Sequence, residues 1–145
     1  MDSKTDPAMA RCWFERFCEI SERLVRLEPG NPHCLLNLSA GFNKLGRLNQ
    51  QSDPTKAWGC LQKALEIRAQ LAVKDPNNHV HQYNLACSLA QCGDPTAALD
   101  SLTSAVILGW NDVDYTADDI NFSSLQGMPE FEALLQRMRL QRPLA

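Results

Sequence analysis

The side chains here whose types could do chemistry are histidines, cysteines and aspartates, and their spacing argues against each use in turn. His79 and His81 form a close histidine pair with Asp75 as the nearby carboxylate. A metal centre needs three or four ligands converging on one point, and imidazoles two residues apart on a helix face different ways. They are read as a solvated helix start. Cys34 beside His33 has the composition of an activated thiol, but sequence neighbours diverge on a helix surface, so no nucleophile–base pair forms. Asp112, Asp114, Asp118 and Asp119 superficially resemble a calcium loop. They lack the DxDxDG order and the closing glutamate, so a capped turn is the preferred reading. Phosphate-cradling, nucleophile-elbow, zinc-protease and dinucleotide motifs are absent from the sequence. The expectation is a protein that is not an enzyme, with no catalytic residue, no cofactor and no metal.

The six cysteines (Cys12, Cys18, Cys34, Cys60, Cys87, Cys92) have no CxxC spacing and fall inside apolar helical patterns. They are expected to be reduced, buried, small hydrophobes. The polar Met1 to Pro7 stretch has no signal-peptide character, and no apolar run approaches a membrane span. A net charge of -3 without a Lys/Arg run argues against a nucleic-acid partner. The chain is therefore read as soluble and cytoplasmic, long enough at 145 residues for one domain with a real core.

What must position these side chains is a set of helices. Turn signals fall at Pro29-Gly30-Asn31-Pro32, Ser52-Asp53-Pro54, Asp75-Pro76-Asn77-Asn78, Gly93-Asp94-Pro95 and Gly109-Trp110-Asn111. Between them the apolar residues recur at steps of three and four, never alternately. Met9, Trp13, Phe17, Ile20, Leu24 and Leu27 make one continuous stripe. Leu35, Leu38, Phe42 and Leu45 make another, followed by Ala57, Leu61, Ala64 and Leu71. Asp53 and Asp94, each before a proline, are expected to cap helices. Gly46 inside a helical pattern predicts a kink or an early end.

A shift of 47 residues superposes Ile20 on Ile67, Leu24 on Leu71 and Pro29 on Pro76. It also superposes Asn31 on Asn78, Asn37 on Asn84, Leu38 on Leu85 and Gly46 on Gly93. Apolar, turn and asparagine positions register together, as expected of stacked units too small to bury their own faces.

Tyr83-Asn84-Leu85-Ala86, Leu89, Gly93-Asp94, Ala98, Leu102 and Ala105 resemble the tetratricopeptide repeat, a pair of antiparallel helices with small residues at their close approach. Asn37-Leu38-Ser39, Phe42, Gly46, Ala57, Leu61 and Ala64 fit the same pattern around an insertion, Arg47 to Ser52. The long spacing, together with Ala105 to Trp110, Asp118 to Phe122 and Pro129 to Leu135, resembles the extended repeats and closing segment of bacterial multi-repeat and kinase-linked arrays. The resemblance implies an all-α, right-handed α-solenoid of stacked antiparallel helix pairs with a C-terminal capping helix. The expected division is a flexible tail over 1–6, an N-terminal helix over 7–28, a long first repeat over 32–74, a second over 78–109, and a closing segment with its capping helix over 110–145.

By that resemblance the chain is an interaction scaffold for a protein or peptide partner, held in a concave groove. Asn37 and Asn84 match the position whose amide bonds a bound backbone. His33, Leu36, Ala40, Asn43 and Lys44 would join from the first repeat, and Val80, Tyr83, Cys87 and Gln91 from the second. The paired cations of a chaperone-tail clamp are missing, with Val80 and Tyr83 in their places. A second surface is expected on the first helix. Most of the Met9–Trp13–Phe17 stripe is assigned to the core, leaving Phe14, Cys18 and Val25 as an exposed second face. Met9, Trp13, Phe14, Cys18 and Val25 are thus the candidate end interface, covered by Met1 to Asp6, by another protein or by a second copy in a homo-oligomer. The rival readings are an accessory subunit completing an enzyme and a purely structural oligomer.

Overall fold

The computed structural model describes residues 6–141, and these are all-helical, without strands. The tail expected over 1–6 lies outside the described residues apart from Asp6, as do the final residues 142–145. The chain divides into two compact units, Met1–Leu71 and Ala72–Ala145, each taken by itself below.

The first unit holds α1 (Pro7–Leu27), α2 (Pro32–Asn49) and all but the last three residues of α3 (Pro54–Lys74). Each helix begins with proline, whose missing N–H costs nothing at the first position. Each is preceded by a side chain that takes up an unpaired amide of the first turn. Asp6 Oδ1 accepts from the Ala8 amide at 3.0 Å, Asn31 Oδ1 from His33 at 2.9 Å, and Asp53 Oδ1 from Lys56 at 3.2 Å. A short turn after Leu27 lets α2 pack back along α1, and Cys18, Leu38, Phe42, Leu45, Cys60 and Ala64 close the core.

Gly46 neither kinks nor ends α2, which runs on to Asn49. A methyl group at Gly46 would lie 2.5 Å from Leu61 Cδ2 and 3.3 Å from the Ala57 carbonyl oxygen, so this glycine sets how closely α2 approaches α3. Gly93, its partner at the 47-residue shift, does end its helix, in the left-handed conformation at φ +86°. The insertion Arg47 to Ser52 accounts for the difference, because it carries α2 onward past its glycine.

The second unit holds α4 (His79–Gln91), α5 (Pro95–Ile107), α6 (Val113–Asp118), a 3-10 segment (Ile120–Leu125) and α7 (Pro129–Leu140). Asp94 caps α5 through the Ala97 amide at 3.1 Å. Ala86, Ala98, Leu102 and Ala105 are fully buried where α4 meets α5, as the small residues there lead one to expect. Phe122, Leu125 and Phe131 of the closing segment fill the same core. Two aspartates of that segment are caps: Asp112 accepts from the Tyr115 amide and Asp119 from the Asn121 amide.

Expectations other than the one for Gly46 fail as well. The histidine pair is not a solvated helix start, because His81 is buried and His79 half-buried. Cys12 is exposed, so the cysteines are not uniformly buried, although all six are free. On α1 the two apolar stripes are exchanged. Cys18 and Ser21 are buried and Phe14 and Val25 lean on the core, whereas Met9, Trp13, Ile20, Leu24 and Leu27 point outward. The physical reason lies on the facing helix. Gly41 opens a notch against which Cys18 Sγ and Phe17 Cδ1 lie, at 2.7 and 2.9 Å from where a methyl would stand. Phe17 thus stays half-buried on α2, although Trp13 and Ile20 of its stripe are exposed.

Candidate docking surface on the first helix

Along α1, Ala10, Trp13, Phe17, Ile20, Leu24 and Leu27 recur in steps of three and four, a seam suited to a neighbouring helix. This seam sits roughly a quarter-turn from the face that packs on α2, at about 100° per residue. Trp13 is 61% exposed, Ile20 49%, Leu24 45% and Leu27 78%. Single exposed apolar residues are ordinary on a surface, but a contiguous row along a whole helix marks an interaction site.

At its N-terminal end the seam deepens into an apolar cleft of about 650 Å³, lined by Met9, Trp13 and Phe14 of α1 and by Lys44 and Leu48 of α2. Trp13 stacks on Phe17 with ring centroids 5.7 Å apart and planes 14° from parallel, and meets Phe14 edge-on at 4.9 Å. These contacts hold the indole in a fixed orientation while leaving most of it open to a ligand.

The rim of the seam is cationic. Lys44 Nζ stands 5.9 Å from the Phe14 ring centroid. Burial, and then the neighbouring Arg47, push its pKa below the usual lysine value. Arg16 and Arg23 lie exposed beside the seam, and neither they nor Lys44 makes an ion pair among the described residues.

A second cleft in this unit, about 460 Å³, lies among α1, α2 and α3 and contains Cys18, Cys60, Glu15, Lys56 and Lys63. Lys56 Nζ donates to Glu15 Oε1 at 2.7 Å. Burial pushes the Cys18 thiol up to about 11, with Cys60 contributing second, and burial raises Cys60 as well. Thiols held protonated in this way are poor nucleophiles at neutral pH. Among the described residues, no group of three or more His, Cys, Asp or Glu side chains could hold a metal ion.

The groove residues expected from the sequence divide by helix. On α2, His33, Asn37 and Ala40 are exposed, Leu36 and Lys44 are half-buried, and Asn43 is buried. On α4, Val80 is exposed and Asn84 and Gln91 are half-buried, whereas Tyr83 and Cys87 are buried. The closing segment is what occupies these last side chains. Tyr83 stacks on Trp110 at 4.0 Å and donates its hydroxyl to Asp119 Oδ2, on which Cys87 Sγ also lies, at 3.8 Å. Gln91 Nε2 donates to Asn121 Oδ1. Tyr83, Cys87 and Asn43 are therefore not presented to a ligand. Of the candidate end interface, Met9 and Trp13 are exposed, while Cys18 is core and Phe14 and Val25 are half-buried against it.

The chain matches no protein family, no curated protein and no solved structure. Function has to be read from the surface itself. Periodicity puts Ile20, Leu24 and Leu27 in one stripe with Trp13 without showing which way that stripe faces. The available signal was the 47-residue shift, which pairs Trp13 with Cys60 and Phe17 with Ala64, large residues against small ones. No helix among the described residues is long and apolar enough to cross a membrane.

Proposed function

We propose that this chain is a non-catalytic protein-interaction module of tetratricopeptide kind, an α-solenoid working in the cytoplasm, which takes a protein partner on the outward face of α1. One observation carries the reading: Trp13, Ile20, Leu24 and Leu27 form an apolar row exposed among the described residues, on a helix whose other face is already packed. Removing such a row from water drives association, at about 25 cal/mol per Å² of apolar surface before the costs of binding. The buried, proton-holding thiols of Cys18 and Cys60 favour a binding role over a catalytic one.

A second reading rests on α2, where His33, Asn37 and Ala40 form an exposed polar strip suited to a peptide backbone. Affinity capture from the source cells separates the two, using wild type, a Trp13→Glu/Leu24→Glu variant and an Asn37→Ala variant. A partner lost only from the first variant supports the α1 face. Loss only from Asn37→Ala moves recognition to α2, and partners indifferent to both changes contradict the proposal.

A further inference from the structure

The chain contains its own reference for what covers a helix of this kind. Both ends of α3 lie 47 residues after those of α1, so the two helices correspond position by position. Trp13, Phe17 and Ile20 correspond to Cys60, Ala64 and Ile67. In α3 this row is covered: Cys60 is 8% exposed and Ala64 0%, packed with Leu38, Phe42 and Leu45 of α2, and Ile67 leans on the same cluster. In the corresponding row of α1, Trp13 and Ile20 are exposed among the described residues, while Phe17 is half-open, one edge of its ring lying on Gly41 of α2. What fits that row is therefore a helix, whose side chains would meet those of α1 as side chains of α2 meet Cys60 and Ala64 of α3.

That helix cannot copy α2, because the sizes are reversed. Small Cys60 and Ala64 accept the large Phe42, whereas Trp13 and Phe17 are themselves large. Elsewhere in this unit a large side chain is met by a glycine on the facing helix: Gly41 against Phe17 and Gly46 against Leu61. The covering helix must likewise be small where it crosses Trp13 and Phe17, since forcing bulk against bulk strains a packed seam.

Charge narrows the occupant further. Arg16 and Arg23 flank the row on one side, and Lys44 closes the cleft on the other. A second copy of this chain offering its own α1 would set Trp13 and Phe17 against equally large residues and bring arginine rows together. An acidic partner meets neither problem.

Resting on the reading of α1 as the docking face, we infer that its partner is an amphipathic helix with glycine or alanine at two positions four residues apart, opposite Trp13 and Phe17, and with carboxylates along its flanks. The small positions admit the two rings, and the carboxylates pair with Arg16, Arg23 and Lys44.

The test uses three fluorescein-labelled synthetic helical peptides of about 21 residues, matched to the length of α1. The first has alanine at the two positions and glutamate flanks; the second replaces the alanines by phenylalanine; the third replaces the glutamates by lysine. Fluorescence anisotropy against the intact chain should give saturable binding of the first peptide and at least tenfold weaker binding of the other two. Trp13→Glu, with helicity checked by circular dichroism, should weaken the first peptide at least tenfold. Arg16→Glu/Arg23→Glu should shift preference toward the lysine peptide. Equal binding of all three peptides, lost in Trp13→Glu, would overturn the size and charge pattern while leaving the docking face standing. Binding indifferent to Trp13→Glu, or no binding, would overturn both. Concentration-dependent dimerisation abolished by Trp13→Glu would assign the face to a second copy and overturn the acidic partner.

Discussion

The hydroxyl of Tyr83 on α4 donates to Asp119 Oδ2 at 2.6 Å, tying the second unit's first helix to the cap of its 3-10 segment. Tyr83 is buried and its ring stacks on Trp110, so the phenol is fixed from two directions. Tyr83→Phe keeps the ring and removes the donor. It should cost about 1.5–3 kcal/mol, the range for a hydrogen bond to a charged group. Urea unfolding measures this directly; an unchanged midpoint would mean that the bond does not hold the closing segment.

Two glycines should respond in opposite directions to the same substitution. Gly46→Ala places a methyl 2.5 Å from Leu61 Cδ2. Leu61 is buried and cannot swing clear, so overpacking of about 1–3 kcal/mol outweighs the gain in helix propensity of roughly 1 kcal/mol. A methyl at Gly59 meets nothing within 4 Å, so Gly59→Ala on α3 should raise stability by about 0.5–1 kcal/mol. Equal shifts in the two variants would contradict the close approach of α2 and α3.

Much of the secondary structure was legible because its signals are local. Asp53 and Asp94 announce their helices through a side chain and the next proline, and Ala98 and Ala105 announce a close approach by their size. The face of α1 was not legible in the same way. Periodicity gives the angle between the Trp13 row and the Phe14–Cys18–Val25 row, but both are apolar. Gly41, on the next helix, receives Cys18 of the second row together with an edge of Phe17 from the first. Tyr83 and Cys87 were read as groove residues for a similar reason: Asp119, which takes their polar atoms, lies more than thirty residues further along the chain.

The thiols should separate by position. Cys12 is exposed, so it should react with a thiol reagent in the native state, with half-buried Cys34 slower. Cys18, Cys60 and Cys87 should react only on unfolding. Burst labelling of Cys18 under native conditions would contradict the packing of α1 on α2.

The Cys18 thiol also fixes a direction for pH dependence. Its pKa is raised in the folded state, chiefly by burial, from an ordinary 9.0 to about 11. Above pH 9 the unfolded chain loses this proton more readily, so stability is complete below pH 9 and declines as pH rises toward 11. Cys18→Ala should make that alkaline decline shallower in denaturant titrations at several pH values. An identical slope in the variant would show that this thiol is not shielded from water.

The central claim is that the α1 row is open in the free chain and closes over a partner helix, and Trp13 reports on both states. The direct measurement is fluorine NMR of the chain carrying 5-fluorotryptophan at Trp13, Trp58 and Trp110, with the Trp13 resonance assigned through Trp13→Phe. In the free chain this resonance should show a full solvent isotope shift between H2O and D2O, and saturating alanine–glutamate peptide should remove most of it while leaving Trp110 unmoved. A Trp13 resonance already shielded in the free chain, or one that stays solvent-sensitive at saturating peptide, would contradict the account.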